Sequence, residues 1–532
     1  MDRCPRIRSD TLAQAVRLGE VVTQNPLHQG PAIPEAPPAL SMLNSLLSAG
    51  EPLALGSDAG PNEAKPILNI MVASTCESSP QWARPPIAGD IESRRLNDVA
   101  GVAGMNRRCG RSQYPSNGTR PFVEQDSQPM LFEPDRHEAL CDAAWDEALA
   151  SATIRAIARD IEQNQGIDGH WPLHPLDDAG DEPQTGFKSL YLGRAGVLWA
   201  LCYLQRAGAI TLNFDPAEGM QRADAAYQAD PDTGRVAPSY FLGEVGILLV
   251  LWRLTGSARA ADRLYASVRS NVANPTHEAF WGASGTMLAA WHLWQATGEA
   301  RWRALFLENV EQVWQNWVFD AKANCHLWTQ NLYGKTVQYL GAGHGFAGNV
   351  HPLLKGASLL DADRRQALYA RCVDTLRATA KFEDGAVNWP PGTYVPRPDG
   401  PRMLMQWCHG APGIVTGLSD FPLQVFPEMD AMLIAAGHAV WQAGPLAKGY
   451  GLCHGTAGNG HALLKLYQRT GDSLWLGRAR RFAVHAITQR DRLRQAHGQG
   501  RYTLWTGEPG LAVYLWQCIK GSAGLPVLDI LQ

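Results

Sequence analysis

Nowhere in this 532-residue chain does an apolar run approach the ~20 residues of a membrane-spanning helix; the longest, near Val245 to Trp252, falls far short. Charge of one sign is equally scarce. With 47 basic residues against 51 acidic ones and a net of −4, no strong field exists to hold nucleic acid or an anionic membrane, so neither is expected as a partner. No apolar segment follows the charged start Met1-Asp2-Arg3-Cys4-Pro5, so the absence of a secretory signal makes a cytoplasmic location the expectation. The 10 cysteines lack the dense spacing of a disulfide scaffold, which points to reduced thiols and metal ligation. What the chain does have is apolar residues (45%) and 18 Trp, the composition of a globular protein with an aromatic interior.

Composition breaks near residue 130. Residues 1–129 hold 15 of the 35 prolines and a single Trp, Trp82. A short apolar patch at Leu40 to Leu47 is surrounded by Pro, Gly, Ser and Asn, so 1–130 is expected to be a low-complexity, largely disordered segment. Helical periodicity then begins at Ala139 to Ile161 and dominates to the end, while period-two alternation is rare, so 131–532 reads as all-α.

An internal repeat defines the architecture. Gly-x-x-Gly followed at once by an apolar helix occurs seven times, at Gly193/Gly196, Gly243/Gly246, Gly282/Gly285, Gly345/Gly348, Gly410/Gly413, Gly455/Gly458 and Gly507/Gly510. First glycines are spaced by 50, 39, 63, 65, 45 and 52 residues, room for two helices each. Glycine suits a sharp turn into a helix packed closely on its neighbours, where a Cβ would obstruct. The helices that follow, such as Val197 to Leu201 and Ile247 to Trp252, are apolar all round and therefore buried. Those between them, such as Ala258 to Ser270 and Asp363 to Thr379, carry charges on one face. Seven buried helices inside seven amphipathic ones make an α/α toroid of seven helical hairpins. Its inner helices run parallel and open their N-termini at one end, where chemistry is expected.

Three repeats place a histidine directly before the glycine motif: His344, His409 and His454. Two of them add a cysteine before it, Cys408 and Cys453, on adjacent inner helices where they can share one metal ion. Two thiolates and one imidazole make a three-ligand Zn²⁺ set with an open fourth position, and helix N-termini favour thiolate over thiol. Either His409 or His454 could supply the imidazole on spacing alone. Cys202, Cys372 and Cys518 read as small core residues, and Cys325-His326 lacks the following glycines, so neither group is expected to bind metal. Gly334-Lys335-Thr336 fails as a phosphate loop because Thr329 stands where its first glycine is required, and His137-Glu138 is followed by Cys141 where a metalloprotease needs histidine.

At these motifs the chain resembles the lanthionine synthetase C-like family, in particular its eukaryotic-type, glutathione-binding branch. The matching stretches are Leu192-Gly193-Arg194-Ala195-Gly196, Ala342 to Gly348, Trp407 to Gly413, and Lys448-Gly449-Tyr450-Gly451-Leu452-Cys453-His454-Gly455-Thr456-Ala457-Gly458-Asn459. The resemblance runs from about residue 135 to about 525 and implies zinc held by Cys408, Cys453 and His454, selecting His454 over His409. It also implies a reaction, in which a cysteine thiol adds to the β-carbon of a dehydroalanine or dehydrobutyrine residue to form a thioether. The thiol is glutathione's or that of a peptide cysteine.

Zinc would lower the pKa of the bound thiol, and His344, at the equivalent point of a neighbouring repeat, is then placed to protonate the enolate formed by addition. Lys448 occupies the family's glutathione-holding position. Bacterial cyclases carry Tyr after the first zinc cysteine and Arg shortly before it; here these are His409 and Leu404, with Arg402 nearby, so Lys448, His409 and Arg402 are the expected substrate-binding residues. The departure shifts the balance from ring closure toward glutathione addition, or toward a zinc- and glutathione-binding adaptor without turnover. Residues 1–130 cannot encode a dehydratase, so the dehydrated peptide or protein substrate is expected to come from a separate dehydratase or kinase. Zinc prenyl transfer would call for Asp-Cys-His ligands, and a toroidal glycosidase would have only Glu244 and Glu508 as paired acids.

Overall fold

The computed structural model describes residues 131–177, 186–393 and 402–531, so the expectation of disorder over 1–130 lies outside the described residues. Within them are α1 (Glu147–Gln163), α2 (Arg194–Arg206), α3 (Pro216–Ala229), α4 (Glu244–Thr255), α5 (Ala258–Ser270), α6 (Ala283–Thr297), α7 (Ala300–Gln315), α8 (Phe346–Lys355), α9 (Ala362–Thr379), α10 (Ala411–Gly417), α11 (Pro427–Ala443), α12 (Thr456–Thr470), α13 (Ser473–His497) and α14 (Glu508–Lys520). The even-numbered helices follow the seven glycine motifs and form the inner ring. Each touches the next, from α2 through α4, α6, α8, α10 and α12 to α14, and α14 packs back on α2. The outer helix against α14 is α1, so the first and last helices of the toroid close the circle together.

The two rings begin their helices differently. Five of the seven outer helices use side-chain caps: Asp146, Asp215, Ser257, Asp361 and Asp472 each accept from a first-turn N–H, whereas α7 and α11 start without one. Every inner helix has glycine at the cap and no side-chain bond. The backbone does the capping instead. The preceding loop curls so that the first helical N–H reaches a carbonyl seven residues back: Arg194 to Phe187 (2.9 Å), Glu244 to Ala237 (2.9 Å), Phe346 to Tyr339 (3.0 Å), Thr456 to Gly449 (2.8 Å) and Glu508 to Arg501 (2.8 Å).

That curl presses another carbonyl against the second glycine. A Cβ at Gly196, Gly246, Gly285, Gly348, Gly413, Gly458 or Gly510 would stand 1.8–2.4 Å from the oxygen six residues earlier. Close approach, not an unusual φ, is what these glycines serve. Gly410 is the exception among the first glycines, with φ of 106°. There the direct bond is replaced by Asn388, whose amide donates to Leu404 O (3.0 Å) while its oxygen accepts from Ala411 N (2.7 Å).

Three two-stranded antiparallel hairpins interrupt the helices: β1 (Val318–Asp320) with β2 (Cys325–Leu327), β3 (Gln330–Leu332) with β4 (Lys335–Val337), and β5 (Lys381–Glu383) with β6 (Ala386–Asn388). They fill the two longest repeat intervals. The helix expected from Ala139 begins only at Glu147, because the Asp146 carboxylate accepts from Ala148 N and Leu149 N and the preceding residues are bound elsewhere. Glu138 N donates to Pro445 O (2.9 Å) and Ala447 N to Arg136 O (2.9 Å). Leu149 is accordingly exposed. Cys202 is half-buried rather than a core residue, whereas Cys372 and Cys518 are buried as expected.

The end of the bore opposite the glycine motifs is filled by the C-terminal segment. Val527 O accepts from the Tyr240 hydroxyl and lies 3.0 Å from His292 Nε2, and Asp529 meets Lys355 (2.7 Å), Lys465 (2.8 Å) and His351 (3.5 Å).

Candidate metal centre

At the glycine end, the residues two positions before each first glycine form a ring of backbone contacts. They are Tyr191, Phe241, Phe280, Gly343, Cys408, Cys453 and Trp505. Gly343 N donates to Cys408 O (3.3 Å), Cys408 N to Cys453 O (3.2 Å), Cys453 N to Trp505 O (2.9 Å), Trp505 N to Tyr191 O (3.3 Å) and Tyr191 N to Phe241 O (2.9 Å). Ser239 Oγ continues the ring by donating to Phe280 O (2.6 Å). The aromatic members pack together beneath the mouth, with Phe241 and Phe280 stacked at 4.5 Å and Trp505 stacked on Tyr191 at 6.1 Å. Cys408 and Cys453 are neighbours in this ring.

One donor atom each from Cys408, Cys453 and His454 lies within 4.8 Å of the other two, and all three residues are buried. Sulfurs bound tetrahedrally to zinc at about 2.3 Å sit about 3.8 Å apart, a spacing that this limit admits. His454 Nδ1 is buried without a hydrogen-bond partner, an orphan that a cation would satisfy. The donor set and this orphan nitrogen fit a zinc ion.

Electrostatics separate the two thiols. Burial pushes the Cys408 thiol up, yet the hydrogen bond from Cys453, the Lys448 charge and the Gln406 amide more than offset it and leave it below the usual thiol range. Burial and the adjoining Cys408 sulfur hold Cys453 well above that range. Without a cation, Cys453 therefore holds its proton more tightly than Cys408 does. Burial also lowers Lys448 to about 8, against the opposing pull of Cys408.

His409 does not join the donor group. Its ring is buried against Tyr339 (5.2 Å) and His344 (6.3 Å), and burial pushes it down to about 3. Arg402 stands at the rim, 43% exposed and 3.5 Å from Glu133. Cys325-His326 lies in β2, where burial raises the Cys325 thiol to about 11. Glu244 and Glu508 are engaged in ion pairs, the first with Arg263 (3.7 Å) and the second with Arg490 and Arg494 (both 3.0 Å).

His344 is buried beside this centre, and its Nδ1 lies 2.8 Å from Glu278 Oε2. Because a carboxylate only accepts, the proton sits on Nδ1 and Nε2 is left for exchange. Glu278 is itself held by Phe280 N (2.9 Å) and Trp281 N (2.6 Å), while Phe280, Tyr333 and Tyr339 enclose the imidazole. Sequence reading missed Glu278. The position four before the first glycine reads Ser189, Ser239, Glu278, Gly341, Gln406, Gly451 and Thr503, so a carboxylate there was a signal available from aligning the repeats. It also missed Arg136 and Arg501, whose charges act on His454 and Lys448.

Fourteen helices in two concentric rings, with this donor cluster at one mouth, define an α/α toroid carrying a candidate metal centre. The model of the family described as "Lanthionine synthetase C-like protein" matches residues 184–530. The chain belongs to that family. Among curated relatives, "Glutathione S-transferase LANCL1" of Danio rerio is 37% identical over 151 residues, 27% of this chain and 35% of that protein. "LanC-like protein GCL1" of Arabidopsis thaliana is 38% identical over 132 residues, 24% of this chain and 30% of that protein. The chain thus spans about a third of the length of these relatives. Among solved structures, "Nisin cyclase" superposes with a TM-score of 0.46 at 14% identity, covering 71% of this chain and all of that one. No helix among the described residues is long and apolar enough to cross a membrane.

Proposed function

We propose that the protein is a zinc-dependent enzyme that joins a thiol, glutathione's or that of a peptide cysteine, to a dehydroalanine or dehydrobutyrine residue of a peptide or protein. The observation that supports this most is the adjacency of two unlike groups at one mouth: the convergent donors Cys408, Cys453 and His454, and the His344–Glu278 pair. The relative named as a glutathione S-transferase supports the same reading.

Cys408, Cys453 and His454 would hold the ion, which when bound lowers the pKa of a thiol in its open position so that thiolate exists at neutral pH. The chain's own residues account for the rest. Lys448, with Arg136 and Arg501 close enough to act on it, supplies positive charge for the carboxylates of a thiol such as glutathione; Arg402 adds to it beside Arg136, with which it shares Glu133, and His409 packs against His344. As the new C–S bond forms at the β-carbon, the alkene pair moves onto the α-carbon and carbonyl. His344 Nε2 takes up the proton that the thiol releases and delivers it to that enolate, while Glu278 stabilises the cationic ring through Nδ1–H. The aromatic enclosure excludes water that would otherwise compete for the proton.

The test is to incubate zinc-quantified protein with glutathione and a dehydroalanine peptide and to follow adduct mass. The proposal expects an adduct that disappears, together with bound zinc, in Cys408→Ala and Cys453→Ala. Full zinc occupancy without any adduct refutes the enzyme and leaves a zinc- and glutathione-binding adaptor.

A further inference from the structure

Three sulfurs meet at the proposed centre when a substrate thiol is bound: the incoming one and the two donated by Cys408 and Cys453. Any of them, as a thiolate, could attack the electrophilic alkene. Attack by Cys408 would be self-destructive, since a C–S bond from its Sγ to the β-carbon, with the α-carbon protonated, would tether the peptide to the protein. Something must make the protein's sulfurs poorer nucleophiles than the substrate's.

Gln406 is 1% exposed, and its Nε2 donates to Cys408 Sγ at 3.1 Å. It sits at the same repeat position as Glu278, four residues before the first glycine, so the fold aims both side chains into the mouth. A tight loop fixes its backbone: Gln406 N donates to His409 O (3.0 Å) and His409 N to Gln406 O (3.1 Å). A buried amide N–H aimed at sulfur is best satisfied by an electron-rich acceptor, which a metal-bound thiolate is.

We propose that Gln406 is a positioning residue that decides which sulfur reacts, its amide drawing electron density from Cys408 so that the incoming thiol alone attacks. This rests on the metal reading proposed above. Partners of a ligand atom tune the metal and the ligand together, and one hydrogen bond to a charged acceptor corresponds to roughly a tenfold change or more in reactivity.

The experiment uses full-length protein loaded with zinc or cobalt(II), comparing the parent with Gln406→Met, which has similar volume and no donor, and with Gln406→His, which keeps an N–H. Gln406→Leu is measured in parallel, so that misfolding of one apolar variant leaves the comparison in place. Loss of the donor is expected to move the thiolate-to-cobalt charge-transfer band to longer wavelength. In the zinc form it is expected to raise alkylation of Cys408 by iodoacetamide roughly tenfold, located by peptide mass, with Cys453 unchanged. Gln406→His should restore both values. A band and a Cys408 alkylation rate identical to the parent's in the apolar variants overturn the inference. A parent protein that shows no thiolate-to-cobalt band overturns the metal reading itself, so the two failures are distinguishable.

Discussion

The same substitution, glycine to alanine, is expected to act with opposite sign at two places in this protein. At Gly285, the second glycine of the α6 motif, a Cβ would stand 1.8 Å from Ala279 O and 2.9 Å from Ala279 C. Both are backbone atoms, so no side chain can swing away. Relief requires moving the loop off α6 by more than 1 Å, roughly the gap to an ordinary van der Waals contact. Overpacking of this kind costs about 1–3 kcal/mol, and a clash with backbone belongs at the upper end or beyond. At Gly477, inside α13, nothing lies within 4 Å and the position is exposed. Alanine there should stabilise by about 0.5–1 kcal/mol, because glycine loses more backbone freedom on folding. Urea denaturation of the two variants and the parent, with unfolding curves fitted for midpoint and slope, measures both effects. Gly285 lies outside the proposed centre, so its cost is one of folding. A Gly285→Ala protein whose midpoint matches the parent's would refute the claim that carbonyl contact dictates these glycines.

Glu278→Gln would remove the charge proposed to stabilise the His344 imidazolium and keep an oxygen for only one of Phe280 N, now on Oε2, and Trp281 N, now on Oε1; turnover should fall about ten- to a hundredfold with zinc content unchanged. Equal losses of metal and turnover would instead mark Glu278 as structural. Asp529→Asn leaves Lys355 and Lys465, both largely buried, without their shared carboxylate, and should destabilise by about 3–5 kcal/mol; a denaturation midpoint close to the parent's contradicts this. Stability should also decline in acid. Burial pushes His292 down to about 4 and His461 to about 3, so the fold keeps both neutral while the unfolded chain takes up protons below about pH 6.5. Their contribution is complete above pH 6.5 and is lost as pH falls toward 4, at about 1.4 kcal/mol per pH unit for each histidine. His461→Asn should flatten that decline measurably between pH 6.5 and 5, and an unaltered slope counts against it.

The toroid was legible in the sequence because each inner helix demands the same thing, a residue without a Cβ where the loop carbonyl presses, and the demand recurs seven times. The proximity of Cys408 and Cys453 could be anticipated for a related reason, since both occupy a fixed offset from those glycines; His409 and His454 share one offset too, so spacing alone left the imidazole open and only the family resemblance favoured His454. Glu278 and Arg136 were not legible. Glu278 acts on a histidine 66 residues away in the next repeat, and Arg136 precedes the repeats altogether, reaching the mouth through its bridge to Ala447. The start of α1 was misread because apolar periodicity continues upstream of a cap that only the Asp146 hydrogen bonds reveal. Strands of three residues, as in β1 to β6, are too short for alternation to register.

The ring of backbone bonds running through Gly343, Cys408, Cys453, Trp505, Tyr191 and Phe241 joins neighbouring repeats without using a side-chain hydrogen bond, so the pitch between positions is set by the main chain. Each position is a socket of fixed pitch, filled in this protein by glycine, sulfur or an aromatic ring. A cysteine pair set into Trp505 and Tyr191 would inherit the backbone spacing of Cys408 and Cys453, but these two rings are buried and stacked on one another, so the exchange would cost several kcal/mol of packing unless neighbouring side chains grew to fill the space.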